Sequence, residues 1–270
     1  QDGGETSNTA ALTFTAPTIA FAPAGFSGAA ANAFVISGTG FGPPNSLVAV
    51  KFTATGTGTP FGDGTQNETT VTGTVNGAGT QITGLTPLVT LCGIASVTMT
   101  VTTTFQGGAC ASTAVGAVTV TGPIINAGGF APAAVPAAFP TAFTITGSGF
   151  GVNGQFAQVT FSVPGAPPPT PFNNGSSSET SVTGTVGGGG TTISGVTPAV
   201  ATCPNSMLSD VRVTLQNGAC TALAVSAVNF LAPQVLSNSL TLPLVSLQNP
   251  GLFTITGGHF GFGGDQATVR

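Results

Sequence analysis

Four cysteines are the residues in this 270-residue chain best suited to do chemistry: Cys92, Cys110, Cys203 and Cys220. They form two similarly spaced sets, 18 residues apart in the first and 17 in the second. No Cys-x-x-Cys spacing occurs, and the single histidine, His259, falls in a different part of the chain, so a zinc site is disfavoured. The chemistry that remains is oxidation to disulfides, with free buried thiols as the alternative. Four cysteines allow three connectivities, and the duplication favours Cys92–Cys110 and Cys203–Cys220. Bridges closing loops of that size contribute roughly 3 kcal/mol each and imply an oxidising compartment.

The remaining inventory is thin. Seven acids, one histidine and three basic residues (Lys51, Arg212, Arg270) are scattered along the chain. No acid pair or Ser–His–Asp set repeats, and the abundant serines and threonines have no base to activate them. The chain is therefore not expected to be an enzyme, nor to hold a cofactor. Asp63, Asn67 and Glu68 offer three oxygens to calcium, which takes six to eight. Gly38-Thr-Gly40-Phe-Gly42 resembles a phosphate loop only superficially, because no Gly-Lys-Ser/Thr and no helix follows; those glycines read as turns. Asn67-Glu-Thr69 and Asn174-Gly-Ser176 fit the N-glycosylation pattern, and O-glycans on exposed threonines are the alternative modification.

The elements that carry these residues are repeated. Phe34-Val-Ile-Ser-Gly-Thr-Gly-Phe41-Gly42 returns as Phe143-Thr-Ile-Thr-Gly-Ser-Gly-Phe150-Gly151, and again as Phe253-Thr-Ile255-Thr-Gly-Gly-His-Phe260-Gly261, at intervals of 109 and 110 residues. Glu68-Thr-Thr-Val-Thr-Gly-Thr-Val75 matches Glu179-Thr-Ser-Val-Thr-Gly-Thr-Val186, and Gly-Ala-Cys110 matches Gly-Ala-Cys220. Within each repeat, Val48-Ala-Val50-Lys-Phe52, Val97-Thr-Met99-Thr-Val101 and Val211-Arg-Val213-Thr-Leu215 alternate with period two, the signature of strands with one buried face. Asn76-Gly77, Asn153-Gly154, Asn174-Gly175 and Asn217-Gly218 are turn candidates. No segment keeps a helical period. The expectation is an all-β chain of β-sandwiches: 17–122 and 123–232 as complete domains, 1–16 as the last strand of a preceding or neighbouring unit, and 233–270 as the opening strands of an incomplete third.

The Phe-Thr-Ile-Thr-Gly-Ser-Gly-Phe-Gly block, preceded by Pro17-Thr-Ile19, Pro123-Ile-Ile125 or Pro233-Gln-Val235 and followed by a Val-x-Phe strand, resembles the IPT/TIG immunoglobulin-like repeat of bacterial surface proteins. The resemblance covers the first third of each repeat. It implies an immunoglobulin-like sandwich for each unit; the cysteine pair and the Pro164–Pro171 excursion depart from the family pattern.

Composition narrows function by exclusion. Charged residues make up 4% of the chain, against about 25% in ordinary soluble domains. With three basic side chains there is no patch to neutralise phosphates or anionic lipids, so neither nucleic acid nor a membrane surface is an expected partner. No apolar run approaches the ~18 residues of a spanning helix. A neutral, threonine-covered surface with little self-repulsion favours dense self-association. Leu12 and Phe14 match Val118 and Val120, so 1–16 supplies a closing strand, while Phe253, Ile255 and Phe260 offer half of a core. Either the chain is a segment of a longer tandem array, or the half-core is completed by another copy through strand addition. The expected role is a structural subunit of a secreted or cell-surface filament, sheath or layer; the alternative is the stalk of an adhesin or carbohydrate-binding protein.

Overall fold

The computed structural model describes residues 18–55, 59–61, 64–89, 97–105, 110–165, 170–202, 205–215, 220–241 and 253–260. The chain is all-β. The first eight strands are β1 (Ile19–Ala22), β2 (Gly25–Ser27), β3 (Ala33–Gly38), β4 (Leu47–Ala54), β5 (Glu68–Val75), β6 (Gln81–Leu85), β7 (Val97–Phe105) and β8 (Cys110–Thr121). They form one sheet in the order β1-β3-β6-β5-β4-β7-β8-β2. The next eight are β9 (Ile124–Ala131), β10 (Ala134–Pro136), β11 (Ala142–Ser148), β12 (Phe156–Ser162), β13 (Glu179–Gly187), β14 (Thr192–Val196), β15 (Met207–Leu215) and β16 (Cys220–Leu231). Their order, β9-β11-β14-β13-β12-β15-β16-β10, is the same arrangement strand for strand. Two further strands, β17 (Gln234–Thr241) and β18 (Thr254–Gly258), pair with each other and with no other strand among the described residues.

Alternation explains why these segments are strands. In β4, Val48, Val50, Phe52 and Ala54 point inward while Leu47, Ala49, Lys51 and Thr53 lie on the outer face. In β15, Val211, Val213 and Leu215 are buried and Arg212 is exposed between them. β1 joins the sheet at one edge and β2, three residues on, joins the opposite edge as a parallel partner of β8. Pro23 sits between them, where its missing N–H costs no ladder bond. β9 and β10 repeat this edge-to-edge crossing around Pro132. One short segment, holding two strands, thus ties both edges of each sheet together.

The core of each unit is phenylalanine. Phe21 stacks on Phe34 at 5.5 Å, and Phe34 meets Phe52 edge-on at 6.0 Å. In the second unit Phe130 and Phe143 stack at 5.2 Å, and Phe143 meets Phe161 at 5.8 Å. The repeated Gly-x-Gly-Phe block is a packing device: a Cβ on Gly38 would lie 2.6 Å from the Phe41 ring, and one on Gly147 would lie 2.5 Å from the Phe150 ring. Only glycine lets that ring fold back over the strand end. Most threonines face outward, but Thr86 and Thr197 are buried at equivalent places. Their hydroxyls accept the backbone N–H of Asn32 and Thr141, each at 2.9 Å.

The turn candidates close differently from one another. Asn76 Oδ1 accepts the N–H groups of Thr80 (2.9 Å) and Gln81 (3.1 Å), and Gly79 takes the positive φ. Asn153-Gly154 forms the turn before β12, and Asn174-Gly175 belongs to a 3₁₀ turn, Asn173–Gly175. Asn217-Gly218 lies outside the described residues.

Candidate assembly interface

Two places in the molecule are unlike the rest of its surface: the junction between the two eight-stranded sheets, and the two-stranded sheet that follows them. At the junction, the segment after β2 meets the turns at the opposite end of the second sheet. Ser27 Oγ donates to the Gly149 carbonyl at 2.7 Å, and Gln155 Nε2 donates to the Ala29 carbonyl at 3.2 Å. Gln155 Oε1 in turn accepts the N–H of Val152 at 3.3 Å, which fixes the amide. A cleft of about 320 Å³ lies here, lined by Ser27, Asn32, Thr121 and the glycines 149, 151, 189 and 190 among others. Its lining is backbone and neutral side chains, the Ser27 and Thr121 hydroxyls among them, so it can form hydrogen bonds. Gly149 (φ 73°) and Gly190 (φ 87°) turn the chain tightly enough to bring these loops against Ala29 and Ala30.

These junction residues were not singled out by motif. A signal for two of them does exist: Ser27 and Gln155 fall where the repeats differ. Ser27 stands where the second unit has Pro136, and Gln155 stands where the first has Ser46. In that first unit, Ser46 Oγ bonds locally to Pro43 O at 2.8 Å.

Cys110 opens β8, and Cys220 opens β16, opposite Leu215. Cys220 is fully buried and disulfide-bonded, and its Sγ lies 3.7 Å from the Val89 carbonyl oxygen of the first unit. Cys92 and Cys203 lie outside the described residues. Among the described residues, no group of three or more His, Cys, Asp or Glu side chains comes together.

The two-stranded sheet repeats the opening of the other units. Val235 pairs with Gly257 as Ile19 pairs with Gly38 and Ile125 with Gly147. Gly257 lies against the Phe260 ring as Gly147 lies against Phe150. Its apolar residues, however, are more exposed than their matches. Phe253 is 49% exposed and Phe260 is 41% exposed, whereas Phe34, Phe41, Phe143 and Phe150 are at most 3% exposed. Ile255 is half-buried, while Ile36 and Ile145 are fully buried. Leu12 and Phe14 lie outside the described residues; Val118 and Val120, their matches in β8, point into the first core.

The remaining sequence candidates separate. Asn67 is exposed one residue before β5, and Asn174 sits in the 3₁₀ turn five residues before β13, so the two sequons occupy different structural positions. Glu68 is committed to Lys51 at 3.3 Å, and Glu179 to Arg212 at 3.8 Å, both exposed. Asp63 lies outside the described residues. His259 adopts a positive φ of 62° where the other units have Gly40 and Gly149, and its Nδ1 has no hydrogen-bond partner among the described residues.

No family model matches the sequence, and no curated protein matches it. Among solved structures, the crystal structure of red sea bream transglutaminase is similar to 82% of this chain, with 8% sequence identity and a TM-score of 0.28. The chain spans 32% of that protein's length.

Proposed function

We propose that this protein is a structural subunit of a secreted or cell-surface filament or layer, built from immunoglobulin-like sandwiches and joined head to tail by strand packing. The observation that carries the reading is the contrast in burial of one motif. The same Phe-x-Ile and Gly-x-x-Phe residues are buried in the cores of two units and partly exposed in the third. Burying one large apolar side chain is worth roughly 1.5–3 kcal/mol, so an open face holding Phe253, Ile255 and Phe260 is a strong driver of association. The occupant this reading assigns is residues 1–16 of a second copy. Leu12 and Phe14 have the spacing of Val118 and Val120, whose side chains close the core of the first unit. The stacking of the first two units through Ser27, Ala29, Gly149 and Gln155 supplies a pattern for end-to-end growth.

Two variants test this by electron microscopy and light scattering of the purified chain. Deletion of residues 1–16, and separately Phe253→Asp, should each abolish polymers while the far-ultraviolet spectrum and melting of the two complete units are unchanged. Polymers that form equally well from both variants overturn the reading. If the parent chain gives only isolated rods, that outcome also overturns it and favours a stalk of a longer surface protein.

A further inference from the structure

We propose that the cysteines bridge successive units rather than closing loops within one, with Cys92 of the first unit bonded to Cys220 of the second. Chain reach separates the two pairings. In the first unit, Val89 donates its N–H to Gly28 O at 3.4 Å, and Gly28 donates to Thr121 O at 3.0 Å. Val89 therefore sits at the Thr121 end of β8. Cys110 is at the other end of that strand: its partner β7 runs from Val97, opposite Val120, to Phe105, opposite Cys110, which is roughly 26 Å at ~3.3 Å per residue. Cys92 is three residues beyond Val89 and can move at most roughly 11 Å from it. A disulfide needs Cα atoms within about 7 Å. Cys92 falls far short of Cys110.

The second unit repeats the argument. Val200 donates to Ala137 O at 2.9 Å, and Ala137 donates to Leu231 O at 3.0 Å. Thr202, which precedes Cys203, is held by its hydroxyl to Thr170 O at 2.8 Å. After Cys203, Ser206 Oγ accepts the N–H of Ala232 at 3.3 Å, so the chain on both sides of Cys203 is anchored at the Leu231 end of β16, while Cys220 begins that strand at the opposite end. The disulfide that Cys220 makes then requires a partner from elsewhere.

A backbone contact with the other unit points to it. The Sγ of Cys220 is 3.7 Å from Val89 O, across the junction, and Cys92 follows Val89 by three residues. An oxidised sulfur has no proton to donate, so this contact is packing rather than a hydrogen bond. It places the sulfur within Cys92's reach, and Cys220 is fully buried there. Formation is a thiol–disulfide exchange. The two thiols give up two protons and two electrons to the disulfide of a protein oxidant, which leaves as a dithiol. The consequence is a covalent clamp in parallel with the Gly122–Pro123 linker, locking the units end to end. This inference does not depend on polymer formation.

Cleavage after glutamate tests it directly, because Glu68 and Glu179 divide the cysteines by unit. The fragment 69–179 carries Cys92 and Cys110, and the fragment 180–270 carries Cys203 and Cys220. The monomeric chain, alkylated and digested under denaturing non-reducing conditions, should give these two fragments as one linked species that separates on reduction. The double variant Cys110→Ser/Cys203→Ser should keep that linkage, and Cys220→Ser should lose it. Unlinked fragments from the parent chain, each carrying an internal bridge, overturn the proposal. So does a linkage that disappears in the double variant.

Discussion

At the residue scale, the repeat is enforced by glycines that leave room rather than by polar chemistry. Gly147 is the clearest case. A methyl group there meets both the Ile124 carbonyl and the Phe150 ring, neither of which can withdraw without opening the strand pairing. Overpacking of this kind costs about 1–3 kcal/mol. Gly147→Ala should therefore lower the urea midpoint of the second unit by that amount. Gly77→Ala, where nothing lies within 4 Å and φ is ordinary, should stay within about 0.5 kcal/mol of the parent. Equal midpoints for the two variants would show that the strand ends relax freely. The two ion pairs carry little by comparison. Lys51–Glu68 and Arg212–Glu179 are both exposed, and exposed pairs contribute about 0.2–1 kcal/mol.

At the element scale, both internal basic residues sit in central strands. Lys51 lies in β4 between β5 and β7, and Arg212 lies in β15 between β12 and β16. A protease needs a locally extended, released segment, and a strand bonded on both sides opens only at a free energy near that of its whole unit. Native protein should stay intact under trypsin for hours while heat-denatured protein is cut after Lys51 and Arg212, as followed by gel and mass spectrometry. Rapid native cleavage after Lys51 would place β4 among the low-stability elements. The same reasoning separates β17 and β18 from the rest. A two-stranded sheet is marginal alone, and its cover must come from outside it.

At the scale of the whole molecule, the placement of the cysteines decides how the chain bears load. A bridge from Cys92 to Cys220 encloses about 128 residues that force applied at the two termini cannot extend. At ~3.5 Å per residue, the fully pulled oxidised chain should be shorter than the reduced chain by roughly 450 Å. Bridges within each unit would hide only the 18- and 17-residue spans, roughly 120 Å in all. Single-molecule extension with and without reductant reads this difference, and the smaller value would rule out the clamp. The bridge would also limit rotation at a junction whose polar contacts include the hydrogen bonds of Ser27 and Gln155.

Much of this architecture was legible in the residues themselves. Period-two alternation in Val48–Phe52 and Val211–Leu215 requires one buried face, and a strand's side chains alternate whatever surrounds them. The 109–110-residue recurrence announced equivalent units because matching sequence patterns make matching local structure. Other features depend on what distant segments bring together. The duplicated spacing of Cys92–Cys110 and Cys203–Cys220 favours bridges inside a unit, but bridges between units would repeat in the same way. Spacing along a chain says nothing about which end of a 12-residue strand a loop returns to. The junction side chains, Ser27 and Gln155, carry no motif, since any hydroxyl or amide can meet any carbonyl once the backbone presents it. The exposure of Phe253 and Phe260 likewise could not follow from their own motif, which is buried in two copies and open in the third. Local pattern sets which face of a strand is apolar; only the tertiary arrangement decides whether that face is covered, and by what.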